Sequence, residues 1–254
     1  MIAAEWTKIR TVRSTVWTLL STVVISAGLA YLLALNFRNS FAGMSADRQA
    51  AFDPLFATFL PITLGQLPLV IFGAVAVTSE YATGTMLASL AATPNRARFY
   101  AAKVLSTVLV AAGVTVVTVP VMFVAAQAGL GPLRTSLGAD GALEAMAGAC
   151  LYLPLMCAFA MGVATLLRST ALTLGILLPL LFLGSQGLGN IPKVMTVTQY
   201  LPDQTAWVVM HLAGPQDEAR WTRDYGAWTG MSLLLLWTLA ALLAGYAILR
   251  RRDA

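Results

Sequence analysis

Six stretches of this chain, residues 16–37, 55–78, 104–128, 145–167, 171–191 and 226–249, contain no Asp, Glu, Lys, Arg or His. Each is long enough, coiled as a helix, to cross a bilayer core of about 30 Å, which takes roughly 20 residues. Lipid offers no partners to backbone N–H and C=O groups, so a run of this kind has to satisfy them within itself. The prediction is an all-α, polytopic membrane protein with six transmembrane helices in one domain, residues 1–254. Composition agrees, because only 11% of residues are charged, against about 25% in soluble domains. The first run follows Lys8, Arg10 and Arg13 and so looks like a signal peptide. It is longer than the roughly 7–15 apolar residues of a cleavable segment and is expected to stay as an anchor.

Orientation follows from the positive charges between the runs. With both termini in the cytoplasm, Lys8, Arg10, Arg13, Arg96, Arg98, Lys103, Arg168, Arg250, Arg251 and Arg252 lie inside. Arg38, Arg48, Arg134, Lys193, Arg220 and Arg223 then lie outside, ten against six, which favours that topology in a bacterial inner membrane. The basic residues form no continuous stripe, so nucleic acid is not an expected partner. Pro61, Pro68, Pro120, Pro154 and Pro179 fall in the four middle runs, which are expected to be kinked. Cys150 and Cys157 sit seven residues apart in one run, too far along a helix to pair.

Enzymatic readings find little support. His211 is the single histidine, so no zinc site can be assembled from histidines. It reads as a loop or interfacial residue. Gly184-Ser185-Gln186-Gly187 ends the fifth run, but Ser185 lacks the glycine that follows the serine in the rhomboid pattern. None of the three lysines, preceded by Thr7, Ala102 and Pro192, closes a phosphate-binding loop, so no ATP site is expected. The runs also lack an acidic or histidine relay for ion coupling, so energy for any transport has to come from a partner.

The loop 79–103 carries the most information. Gly84 permits a sharp turn, Thr85 can cap the next segment, and Met86 to Ala92 is predicted as a short helix ended by Thr93 and Pro94. Met86, Leu87 and Leu90 share one face of it, with no charge on the helix. Outside a bilayer such a face calls for a protein groove. Glu80 is expected either to pair with Arg96 or Arg98 within the loop or to contact a partner.

This loop resembles that of the ABC type-2 permease family, the membrane half of ABC exporters. The matching residues are Glu80, Gly84, Thr85, Leu90, Pro94, Arg96 and Lys103. Tyr81 and Leu87 depart from it where charged residues are common, and a shortened spacing from Pro94 leaves Arg96 or Arg98 as the equivalent basic residue. The resemblance implies a coupling helix that docks in a cleft of a separate cytoplasmic ATPase, which would bind ATP and Mg while this chain holds no cofactor or metal. It also implies a second copy or sister permease as partner.

Two further segments fit the resemblance. Ile2, Trp6, Ile9 and Val12 give an apolar stripe near Lys8 and Arg10, interrupted by Glu5 and Arg13, as in an interfacial elbow helix over 1–15. Glu5-Trp6-Thr7-Lys8 with Arg13-Ser14-Thr15 looks like actinobacterial members in particular. In the outer segment 192–225, Thr205 to Leu212 is read as a short helix, either near an outer gate, as the resemblance implies, or as an aromatic anchor at the interface through Trp207. Thr63, Gln66, Thr173, Ser185, Gln186 and Asn190 are candidates to line a path for an amphipathic or hydrophobic substrate such as a drug, lipid, antibiotic or peptide. The competing reading is a membrane interaction or sensory protein that recruits a partner through the same loop and moves nothing.

Overall fold

The computed structural model describes residues 13–92, 95–185, 191–216 and 221–251. Those residues are helices, turns and loops, with no strand among them. The expected interfacial helix over 1–15 lies almost wholly outside them. The first span is α1, Arg13–Phe41, followed by a short α2, Ala46–Ala50. The second span, expected to be one helix, is three: α3, Pro54–Phe59, α4, Ile62–Gly65, and α5, Leu67–Ala82. Pro61 and Pro68, which have no N–H to give to the helix ladder, sit at the starts of the second and third pieces. Asp53 opens α3 by accepting the Leu55 amide at 2.8 Å, with Pro54 in the first turn, so the start of this span is written in its sequence.

The loop helix α6, Thr85–Ala92, leads to α7, Arg96–Leu130, whose 35 residues make it ~52 Å long, well beyond a bilayer core. Asn95 caps α7 by accepting the Arg98 amide at 3.0 Å. The fourth span is α8, Ala142–Leu167, and the fifth begins as α9, Thr170–Ser185. Among the described residues five stretches, the three-piece Pro54–Ala82 included, are long and apolar enough to span, and Thr170–Phe182 of α9 is a shorter apolar sixth. A seven-residue α10, Pro192–Thr198, precedes the last span, α11, Ala227–Arg251. Pro120, Pro154 and Pro179 lie inside helices that continue past them.

The spans differ in depth. The second and the fourth bury 67% of their apolar windows, against 22% for α1 and 28% for α11, so α5 and α8 form the centre and α1, α7 and α11 its periphery. Lipid tails are as apolar as leucine, so association relies on close contact of small residues. Gly162 of α8 is an example: a Cβ there would stand 2.5 Å from the Ala241 carbonyl carbon of α11.

Candidate functional site

At one end of the bundle the loop between the second and third spans is clamped at its base. Glu80, near the end of α5, receives a hydrogen bond from Lys103 Nζ of α7 at 2.9 Å, with side-chain exposures of 8% and 3%. The expected pairing of Glu80 with Arg96 or Arg98 is therefore corrected: the acid meets the lysine on the far stem. Lys103 also reaches the Ala76 carbonyl at 3.4 Å. A buried pair of this kind offsets the desolvation of two charges only when held close, so it fixes the two stems relative to each other.

The other loop residues tie the same end to the remaining helices. Arg96 Nη1 donates to the carbonyls of Leu249 at 2.9 Å and Arg250 at 3.2 Å, so a cation sits at the negative end of α11. The Tyr81 ring carries the Arg168 guanidinium 5.2 Å from its centroid. Arg168 ends α8 in the left-handed region at φ 54°, where its amide donates to the Ala164 carbonyl at 2.8 Å. Thr170 donates to the Thr78 hydroxyl at 2.6 Å, and Tyr100 stacks on Tyr246 at 6.1 Å. These contacts join the base of the loop to α5, α7, α8, α9 and α11.

Between the stems hangs α6. Gly84 adopts φ +68°, as expected of the turn, and a Cβ there would meet nothing within 4 Å, so the demand is on the backbone alone. Thr85 is the first helical residue, and its hydroxyl pairs with that of Thr83 at 2.9 Å rather than capping. The shared apolar face is also revised. Met86 is 3% exposed and turned into this chain, whereas Leu87 is 59% exposed. Arg98 is exposed at the start of α7. The Leu90 side chain and Pro94 lie outside the described residues.

Sequence reasoning missed Arg168 and Asn95. The second was legible in Asn95-Arg96-Ala97-Arg98 as a cap before a basic helix start, but no spacing rule joins Arg168 to Tyr81.

Of the path candidates, three are placed. Thr63 donates to the Leu60 carbonyl at 2.8 Å, Thr173 to the Ser169 carbonyl at 2.7 Å, and Gln66 donates to the Thr63 carbonyl while accepting Tyr152 Oη at 2.6 Å. All three are buried within the subunit. Gln186 and Asn190 lie outside the described residues, as does the Ser185 side chain.

The segment between the fifth and last spans also departs from expectation. Residues 199–213 form consecutive turns, with Thr205 N–H donating to the Leu201 carbonyl and Trp207 N–H to that of Gln204, and the regular helix lies earlier, at α10. This segment re-enters the bundle. Trp207, Met210 and Leu212 belong to the main core, so Trp207 is no interfacial anchor. Asp203 and Gln204 are fully buried, and Asp203 Oδ2 accepts from Gln204 Nε2 at 2.8 Å while Oδ1 has no hydrogen-bond partner among the described residues. Burial pushes the Asp203 carboxyl up to about 6, against the weaker opposing pull of the Gln204 bond. His211 Nδ1 meets Asp53 Oδ2 at 2.9 Å, which ties this segment to the cap of α3.

These features define a multi-pass helical membrane protein whose polar structure is concentrated in a braced loop at one end and a re-entrant segment near the other. The model of the family described as ABC-2 family transporter protein matches residues 5–254, and the chain belongs to that family. It is a permease component of an ABC transporter, a part that serves membrane transport rather than catalysis. No curated protein matches the chain.

Proposed function

We propose that this permease subunit exports an amphipathic or hydrophobic substrate along a path between two permease copies or sister subunits, driven by a separate ATPase that docks on α6. In this reading both termini and α6 face the bacterial cytoplasm and residues 199–213 lie toward the outer face. The ATPase binds ATP and Mg, and its closure pushes α6 against the stems that Glu80 and Lys103 hold together. The observation that carries this reading is the buried 2.9 Å clamp beneath a short uncharged helix whose Leu87 is exposed. An apolar side chain displayed outside the bilayer on a braced support suits a protein groove.

The test is pull-down of the cognate ATPase together with substrate-stimulated hydrolysis in proteoliposomes. Leu87→Asp puts a carboxylate into the proposed groove and is expected to weaken assembly about tenfold or more while leaving the isolated subunit folded. Gly84→Val strains the turn while keeping the docking side chains, and is expected to lower stimulation more than assembly. Wild-type assembly and stimulation in both variants would show that α6 is a solvated loop.

A further inference from the structure

At the end of the bundle opposite α6, the turn before α3 and the re-entrant segment enclose a pocket of about 760 Å³, within the ~300–1,000 Å³ of small-molecule sites. Phe37, Phe52, Phe56 and Trp221 give it aromatic walls. The Phe37 ring centroid stands 6.1 Å from that of Phe52 and 6.2 Å from that of Phe56, with the rings inclined at 56° and 74°, so the three adjoin as an angled apolar wall.

The polar groups of the pocket divide into those already engaged and those left over. Asp53 uses one oxygen on the Leu55 amide at 2.8 Å and the other on His211 Nδ1 at 2.9 Å. Gln216 donates to the carbonyls of Gly214 at 2.9 Å and Trp221 at 3.1 Å, and accepts the Arg223 amide at 3.0 Å. Arg48 lines the same pocket from α2, is exposed, and makes no hydrogen bond or ion pair among the described residues. Guanidinium has donors only, so the polar side chain of the pocket left without a partner among the described residues is a cation.

We propose that this pocket binds a small amphipathic anion, an aromatic or acyl body carrying a carboxylate, sulfonate or phosphate. The body lies on the four aromatic rings and the anionic head meets Arg48. The pocket is half open, and its volume is that of one compact molecule. Such a site depends neither on ATPase docking nor on which end of the bundle faces the cytoplasm.

The experiment uses the full chain in phosphatidylcholine nanodiscs with the photoreactive anion 4-benzoylbenzoate and its uncharged twin 4-benzoylbenzamide, with cross-links located by peptide mass spectrometry. The acid is expected to label peptides containing Phe52 and His211 at about tenfold lower concentration than the amide, the effect of one charge-assisted hydrogen bond. Arg48→Gln should abolish that preference and Arg48→Lys retain most of it. Ala51→Trp, which sets an indole at the pocket lining, should block labelling by either probe. Equal labelling by acid and amide, a preference untouched by Arg48→Gln, or cross-links confined to other segments would overturn the assignment. Labelling lost in phosphatidylglycerol nanodiscs but kept in phosphatidylcholine would place a lipid headgroup at Arg48 and also overturn it.

Discussion

The two regions that leave the regular spans obey opposite rules. Thr85–Ala92 has no charged residue, yet Leu87 and Ala88 are exposed. Residues 199–213 contain Asp203, Gln199, Gln204 and His211, yet most of them are buried in the bundle. Hydropathy alone would reverse these positions. The difference is what each backbone has to bond with: α6 is helical and can leave its unpaired end groups to water, whereas the irregular turns 199–213 can enter the bundle only where much of their backbone finds protein partners. Tyr225 Oη donating to the Gln199 carbonyl, Gln199 bonding Asp224, and Trp237 Nε1 donating to the Tyr200 carbonyl at 2.7 Å are such meetings.

The largest effect should come from breaking the clamp under α6. Glu80→Ala or Lys103→Ala leaves one buried charge without its partner, at about 3–5 kcal/mol, while the double replacement by methionine should cost much less. Equilibrium unfolding in mixed micelles measures this. Singles no worse than the double would mean that the pair contributes nothing to holding the stems.

Asp203 tests the other region through pH. Its folded value, about 6, is raised from 3.8, so the folded state binds the proton more tightly than the unfolded one. The resulting destabilisation is fully present above about 6, declines as pH falls, and is gone below 3.8. Asp203→Asn should therefore raise stability near pH 7.5, on the order of 2–3 kcal/mol, and flatten the pH profile between 7.5 and 4. Thermal unfolding of the two proteins across that range decides it, and parallel profiles would show that this carboxyl is not buried in the native protein.

A smaller effect is expected at Gly84. Gly84→Ala should cost about 1–2 kcal/mol and Gly84→Asn less, because the position demands positive φ but has space for a side chain. Hydrogen exchange of the α6 amides resolves the order, and equal protection in both variants would show that the turn relaxes freely.

The smallest is the Asp53–His211 tie. Burial raises the Asp53 carboxyl, but the His211 hydrogen bond, the Leu55 and Phe56 amides and the imidazole charge outweigh it and hold the value below 3.8. A depressed folded value gives stability that is present above 3.8 and lost as pH falls through the folded value. With 40% and 34% of the two side chains exposed, solvent screens the pair. Asp53→Asn should therefore loosen protease resistance at the 199–213 segment only slightly at neutral pH, and unchanged digestion at every pH would show that the tie holds nothing in place.

What the sequence determined rests on local patterns. Runs free of charge fixed the membrane class and the order of the spans, since lipid imposes the same demand on every such segment. Gly84 marked a sharp turn, and the residues of 79–103 the family resemblance. Tertiary structure decided what depends on residues far apart in the chain. Lys103, rather than nearer Arg96 or Arg98, took Glu80, because the fold brings position 103 of α7 back to position 80 at the end of α5. Met86 turned inward while Leu87 stayed out, a choice set by where the stems hold α6. Asp203, on hydropathy an ordinary loop acid, went to the interior because the segment carrying it fills the space beside Tyr152. A pattern along one strand of chain can state which segments leave water, but the partner of each buried polar group is fixed only when the helices meet.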